Sequence, residues 1–117
     1  MRIDRIDHFV LTVADVDATC VFYERVLGMR VIRFGEGRKA LQFGDQKINL
    51  HQRGKEIEPK AANPTSGSAD FCLITTNPLE QALAHIRACG IAIEHGPVPR
   101  IGALGPIRSI EVSTYGT

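Results

Sequence analysis

The sequence lacks long apolar runs and an excess of charge of either sign. Its apolar stretches, such as residues 9–11 and 91–93, are far shorter than the ~20 residues that a membrane-spanning helix needs. The 14 Lys and Arg side chains nearly balance the 13 Asp and Glu side chains, and no basic block forms a nucleic-acid-binding surface. We therefore expect that the chain binds neither membranes nor nucleic acids.

Closely spaced cysteines and an apolar N-terminal stretch are also absent. Cys20, Cys72 and Cys89 stand far apart without a Cys-x-x-Cys pair, which argues against a thiol-ligated zinc site. An odd number of separated thiols is typical of a reducing compartment. Residues 2–7 carry charges where a signal peptide would be apolar. Both observations predict a cytoplasmic protein.

The first half of the chain carries the pattern of a strand, a helix and three further strands. Polar and apolar residues alternate over residues 6–13, as in a half-buried strand. Asp15 can then cap a helix over residues 16–27, and Gly28 can end it. Glycine-containing turns separate three short predicted strands, at residues 29–34, 39–43 and 47–52.

The same pattern restarts 62 positions later, which indicates an internal duplication. The offset predicts a strand over residues 70–74 and a helix that is capped by Asn77 and ended by Gly90. We predict a single domain over residues 1–117. Its parts are module one at about 4–52, a connector at 53–68 and module two at 69–117.

Two histidines and a carboxylate share a phase on the predicted strands. His8, His51 and Glu111 each alternate with apolar neighbours, so we expect all three on the helix-free side of a curved sheet. Asn49 points the same way as His51. Imidazole and carboxylate ligands suit Zn, Ni, Mn or Fe(II) and leave coordination positions open. The alternative is that these are ordinary solvated residues of a sheet.

Four segments carry a resemblance to a known family. The chain resembles the vicinal-oxygen-chelate superfamily, which includes glyoxalase I, extradiol dioxygenases, fosfomycin-resistance enzymes and bleomycin-binding proteins. Two further stretches, at 38–47 and 94–100, are similar to glyoxalase domain-containing protein 5 and its bacterial relatives, one of which is described as a virulence protein. The segments that carry the superfamily resemblance are residues 6–13, 22–29, 48–51 and 110–113.

The resemblance implies an α+β fold in which tandem βαβββ modules form a curved mixed sheet around a metal-binding cleft. It implies His8, His51 and Glu111 as ligands of a divalent Ni, Zn, Mn, Co or Fe ion, with Glu111 as a catalytic group. Asp70 falls on the fourth ligand position. The resemblance implies a histidine at this position in the extradiol dioxygenases and the fosfomycin-resistance enzymes. The candidates for contacting substrate are Asp70, Arg38, Asn49 and Arg100.

The end of module two departs from the family's pattern. After the loop at 97–106, only the nine residues 107–115 remain for the last two strands and their turn. About ten residues are therefore missing and the last hairpin is shortened. Either the protein has lost them or the sequence omits a loop, and the match on both sides of the gap favours an omitted loop.

The resemblance implies a metal-dependent lyase or isomerase of the glyoxalase type that acts on a small molecule with vicinal oxygens. The alternative is a non-catalytic small-molecule binding or resistance protein. An Fe(II) dioxygenase is less favoured because Asp70 replaces a histidine. The resemblance also implies a homodimer, because a second copy commonly completes the edge strands and apolar backs of the modules in this superfamily. If the hairpin is truly shortened, we expect a strand or a module to be exchanged between copies.

Overall fold

A computed structural model describes residues 1–114 of the chain. The polypeptide forms two compact units, residues 1–70 and residues 71–114. Residues 115–117, which end the predicted module two, lie outside the described residues. Within residues 1–114, no helix is both long and apolar enough to cross a membrane.

The first unit contains one helix and a four-stranded mixed sheet. The strand order is β1-β4-β3-β2, with β1 parallel to β4 and the other neighbours antiparallel. This arrangement is the predicted βαβββ module. Its elements are β1 (His8–Val13), α1 (Val16–Leu27), β2 (Arg30–Phe34), β3 (Arg38–Phe43) and β4 (Gln46–Gln52).

Helix α1 has the predicted bounds and the predicted ends. The Asp15 carboxylate accepts a hydrogen bond from the Ala18 backbone N–H at 3.0 Å, which satisfies one free donor of the first turn. Gly28 adopts the left-handed conformation, with a φ of 68°, and stops the helix.

One face of the sheet packs against α1. Lys39 on β3 reaches Asp17 on α1 at 2.6 Å, and Gln52 on β4 accepts a hydrogen bond from the Val16 backbone N–H at 3.1 Å. Leu41 and Ile48 are fully buried in the core. Because side chains alternate along a strand, the neighbours of these residues point to the opposite face.

The second unit consists of a helix and a two-stranded hairpin: α2 (Leu79–Ala88), β5 (His95–Gly102) and β6 (Gly105–Glu111). Strands β5 and β6 are antiparallel. Ile86 is the one buried apolar residue of this unit within the described range. The fold class is confirmed as α+β, although the second module is reduced to a helix and two strands.

The predicted strand at residues 70–74 was wrong. Residues 70–74 form no strand, and Phe71, Leu73 and Ile74 are exposed. In module one, the corresponding strand β1 pairs with β4. Within residues 1–114, module two has no counterpart of β4 with which this segment could form a sheet.

A further expectation for module two was also wrong. Asn77 does not cap α2: Pro78 occupies the N-cap position and the Asn77 side chain accepts a hydrogen bond from the Thr75 hydroxyl at 3.1 Å. Ser109, Ile110 and Glu111 are consecutive residues of β6, so this sequence forms a short hairpin without the missing residues. The choice between a lost loop and an omitted one stays a prediction.

Candidate functional site

The face of the four-stranded sheet opposite α1 carries four of the candidate residues: His8, Arg38, Asn49 and His51. The strand register pairs His8 with Lys47, Val10 with Asn49 and Thr12 with His51. The side chains of paired positions lie on the same face of the sheet. Asn49 and His51 thus lie on one face, as their alternation with Ile48 and Leu50 predicted.

Three side chains of this face have buried polar atoms without a hydrogen-bond partner, and we call Arg38, Asn49 and His51 the polar cluster. His51 is 2% exposed, and neither of its ring nitrogens has a partner. The Asn49 Oδ1 atom and the Arg38 Nε atom are likewise buried and unpaired. Such groups destabilise a fold by roughly 1–3 kcal/mol each, so a bound ligand that pairs with them would recover that free energy.

Burial lowers the pKa of His51, and the positive charge of Arg38 lowers it further. The imidazole is therefore neutral at pH 7. A neutral imidazole offers one nitrogen lone pair, which can coordinate a metal or accept a hydrogen bond. The chemistry of His51 thus matches the role that the sequence predicted for it.

His8 and His51 are not neighbours in the strand register. His8 lies beside Lys47, four positions before His51 on β4, which separates the two rows by about 13 Å along the strands. His8 is exposed, and its Nδ1 atom lies 2.7 Å from the Asp7 carboxylate. Asn49 lies midway between the two rows. His8 and His51 are therefore not adjacent in the sheet, and Asn49 lies two positions from His51 on β4 and two positions from Lys47, the partner of His8.

Glu111 and Arg100 meet on the β5–β6 hairpin. The Arg100 Nε and Nη2 atoms donate to Glu111 Oε1 at 3.0 and 2.8 Å. His95 Nδ1 lies 3.5 Å from Glu111 Oε2. The sequence patterns predicted Glu111 and Arg100 as functional residues, but they did not predict His95. The hairpin register places His95 opposite Glu111.

The remaining candidates differ in their surroundings. Asp70 is exposed and does not lie on a strand, because the predicted strand at 70–74 does not form. The Arg38 guanidinium lies over the Phe34 ring, 4.6 Å from its centroid, and Lys47 Nζ lies 4.3 Å from the same centroid. No local pattern in the sequence predicts this contact with Phe34, since the ring is contributed by a neighbouring strand.

In the part of the chain that the structure describes, no group of three or more His, Cys, Asp or Glu side chains could hold a metal ion. The donor atoms available on the polar cluster are the unprotonated ring nitrogen of His51 and the Asn49 Oδ1 atom. A neutral imidazole and an amide oxygen are both acceptable ligands of a divalent ion. These two residues therefore fit a metal as partial ligands.

Comparison with known proteins places this chain in a family. A family model of the Glyoxalase/Bleomycin resistance protein/Dioxygenase superfamily matches residues 5–105. The chain belongs to this superfamily. Members of the superfamily commonly use divalent metals, bind small molecules and often form dimers. The resemblance that the sequence motifs carried is thereby confirmed.

Similar superfamily members include virulence protein STM3117 of Salmonella typhimurium, which is 55% identical over 112 residues, 96% of this chain and 78% of that protein. The crystal structure of STM3117 has a TM-score of 0.94 and covers 96% of this chain and 89% of that one. Glyoxalase domain-containing protein RDO1 of Mycosarcoma maydis is 52% identical over 96% of this chain, which spans 63% of RDO1.

A more distant superfamily structure, lactoylglutathione lyase from Agrobacterium tumefaciens, shares the fold. Its TM-score is 0.66 at 20% identity, over 90% of this chain and 82% of that chain. At this identity the likeness extends to the fold alone. The chemistry of the present chain must therefore be argued from its own residues.

Proposed function

We propose that this chain is a metal-dependent lyase or isomerase of the glyoxalase type, acting on a small molecule with vicinal oxygens. The observation that carries the proposal is the buried, unpartnered imidazole of His51 beside the unpartnered Asn49 Oδ1 atom. Both groups present lone pairs and neither is engaged by the described protein. Superfamily membership supports a divalent ion as the group that pairs with them.

His51 and Asn49 would hold the metal, and His8 and Glu111 remain in the proposed ligand set on the ground of the sequence resemblance. A bound divalent ion supplies Lewis acidity, which stabilises negative charge on a substrate oxygen after a proton is removed from the adjacent carbon. Nickel, zinc, manganese, cobalt and iron are the candidate ions. The neutral state of His51 suits this role, because ligation requires a free lone pair.

Glu111 is the proposed proton carrier. The Nε and Nη2 atoms of Arg100 both donate to Oε1 of this carboxylate, so Oε2 is the oxygen that Arg100 leaves for a proton. His95 lies on the Oε2 side at 3.5 Å. Arg100 thus acts as a positioning residue for the proposed base.

Metal binding tests the proposal directly. The purified protein, stripped by chelation and dialysis, is titrated calorimetrically with Ni, Zn, Mn and Co. We expect one equivalent to bind, with at least about tenfold weaker binding in His51→Ala and in Asn49→Ala. His85→Ala, at an exposed position on α2, is the matched control and should bind like the parent. Binding that is equal in all four proteins would remove the polar cluster from the metal site.

A second candidate is a non-catalytic binding or resistance protein that takes up its small molecule without a metal. It is favoured by the absence, within residues 1–114, of a group of three side chains suited to a metal. A protein that takes up none of the four ions but still binds a small molecule would support this candidate. Selective loading with Fe(II) together with substrate-dependent oxygen uptake would instead indicate a dioxygenase.

We also propose that the chain forms a homodimer in the cytoplasm. The apolar side chains of Phe71, Leu73 and Ile74 are exposed, and a second copy could cover them. No disulfide joins Cys20, Cys72 or Cys89, which suits a reducing compartment. Light scattering at tens of micromolar should give twice the 12.8 kDa chain mass. A monomeric mass would contradict the dimer.

A further inference from the structure

A pocket opens in the first unit where β3 begins and β4 ends. Its volume is about 340 Å³, enough for a small metabolite. Arg38 and His51 of the polar cluster line it, so the pocket adjoins the proposed metal ligands. The connector contributes Lys55 and Ile57 to the lining.

The charged residues that line the pocket leave one unopposed positive charge. Lys39 is neutralised by Asp17 at 2.6 Å. Neither Arg38 nor Lys55 forms an ion pair within residues 1–114, and Glu36 is the one other acidic residue of the lining. Two cations against one carboxylate give a net charge of about +1, which favours a singly charged anion.

The orientation and the unused hydrogen-bond donors of the Arg38 guanidinium suit anion binding. One face of its guanidinium rests on the Phe34 ring at 4.6 Å, which fixes the plane of the group. The guanidinium makes no hydrogen bond to residues 1–114, and its Nε atom is buried without a partner. A planar, fixed guanidinium donates two parallel hydrogen bonds to the two oxygens of a carboxylate.

We propose that this pocket binds a carboxylate group of the small-molecule substrate, with Arg38 as the anchoring residue and Lys55 as a secondary contact. The proposal rests on the proposed function, because it places the carboxylate beside the residues that would hold the metal. The substrate is accordingly a small organic acid that also carries vicinal oxygens. The unopposed single charge favours a carboxylate over a doubly charged phosphate.

Ligand binding to the metal-free protein tests this assignment separately from the metal. Pyruvate is titrated while the Arg38 Nε–H resonance is followed by ¹⁵N-resolved NMR, with pyruvamide as the uncharged analogue and inorganic phosphate as the competing anion. We expect pyruvate to shift the Arg38 resonance and to bind at least about tenfold more tightly than pyruvamide, since each charge-assisted pair contributes strongly. Lys55→Gln should weaken pyruvate binding about threefold, as expected of an exposed charge.

Two variants of Arg38 separate the contribution of its charge from that of its two parallel hydrogen bonds. Arg38→Gln should weaken pyruvate binding at least about tenfold, whereas Arg38→Lys, which keeps the charge but loses the fork, should fall between this variant and the parent. The matched control is Arg33→Gln on β2, which removes the same charge from an exposed residue on the α1 side of the sheet. Urea unfolding of all variants confirms that they are folded.

Several outcomes would overturn the proposal. Equal loss of pyruvate binding in Arg38→Gln and Arg33→Gln would reduce the effect to general electrostatics. Equal affinity for pyruvate and pyruvamide, or no binding of pyruvate at all, would remove the carboxylate site. Tighter binding of phosphate would replace the carboxylate by a phosphate. A protein that binds pyruvate through Arg38 but takes up no metal would keep this inference and overturn the proposed function.

Discussion

The two modules of this chain start from one sequence pattern and end in different structures. In module one, residues 8–13 form a strand whose full length pairs with β4. In module two, the corresponding residues 70–74 form no strand. Among residues 1–114, ten of the eleven buried apolar residues lie in module one, and only Ile86 lies in module two. Similar local sequence therefore does not guarantee similar structure.

The difference arises from a missing partner rather than from the segment itself. A strand is stabilised by the hydrogen bonds and side-chain contacts that its neighbour supplies. Module one provides that neighbour in β4, whereas within residues 1–114 module two has only β5 and β6, which pair with each other. The shortened hairpin is thus accompanied by the loss of a strand nearly 40 positions earlier in the sequence.

The largest effect should come from the core of module one. Ile48→Ala removes a fully buried side chain between α1 and the sheet, and we expect a loss of about 3 kcal/mol in the free energy of unfolding. Ile101→Ala in module two, at a position that is 82% exposed, should change it by less than about 0.5 kcal/mol. Urea unfolding followed by circular dichroism measures both. Similar losses would show that the side chains of module two contribute as much to the free energy of unfolding as the core of module one.

Restoring the missing hairpin should sharpen the comparison further. Insertion of about ten residues with a strand-turn pattern between Ser109 and Ile110 would give residues 70–74 a partner. We expect amide exchange at residues 72–74 to slow at least about tenfold, which corresponds to about 1.4 kcal/mol. A Gly-Ser insertion of equal length is the control and should leave exchange fast. Slow exchange in both variants would show that chain length, not strand pairing, is responsible.

Much of module one could be predicted from residue patterns, because its signals are local. Asp15, Gly28 and the two-residue alternation fixed the helix and the faces of the strands. The same rules failed in module two. Asn77 was predicted as the N-cap of α2, but the following proline takes that position. The alternation at residues 70–74 predicts a strand only where a partner strand is present.

The sequence predicted on which face of the sheet the candidate residues lie, but not which of them are adjacent. The alternation of polar and apolar residues indicates the face to which His8 and His51 point, yet it carries no information on which residues of two strands lie side by side. That register depends on the pairing of β1 with β4, which sets the histidines four positions apart. The stacking of Arg38 on Phe34 and the approach of His95 to Glu111 depend on cross-strand pairing in the same way.

A smaller effect should distinguish the two helix starts. Asp15→Ala removes the cap of α1 and should lower the free energy of unfolding by about 1 kcal/mol. Asn77→Ala should be nearly neutral, because the Asn77 side chain bonds only to the exposed Thr75 hydroxyl and leaves α2 uncapped. Equal losses would indicate that Asn77 caps α2 in solution. Thermal unfolding of the two variants beside the parent provides the comparison.

The smallest effect concerns the pH dependence of stability, and it should be confined to module one. The pKa of His51 is lowered in the folded protein, mainly by burial and then by the charge of Arg38. At neutral pH and above, His51 is neutral in both states and contributes nothing to the pH slope. As the pH falls below about 6.5, the unfolded chain binds a proton that the folded chain resists, so the metal-free protein should lose stability.

Urea midpoints measured between pH 7.5 and pH 5 check this expectation for metal-free parent, His51→Gln and His85→Gln. His51→Gln should reduce the acid loss of stability, because the group that resists protonation is gone. His85→Gln, at an exposed position on α2, should retain that loss since the buried His51 is still present. If His51→Gln keeps the full acid slope, another group is responsible for it. In that case the imidazole of His51 already accommodates a proton in the folded state, and its availability as a neutral ligand at pH 7 would need a different cause.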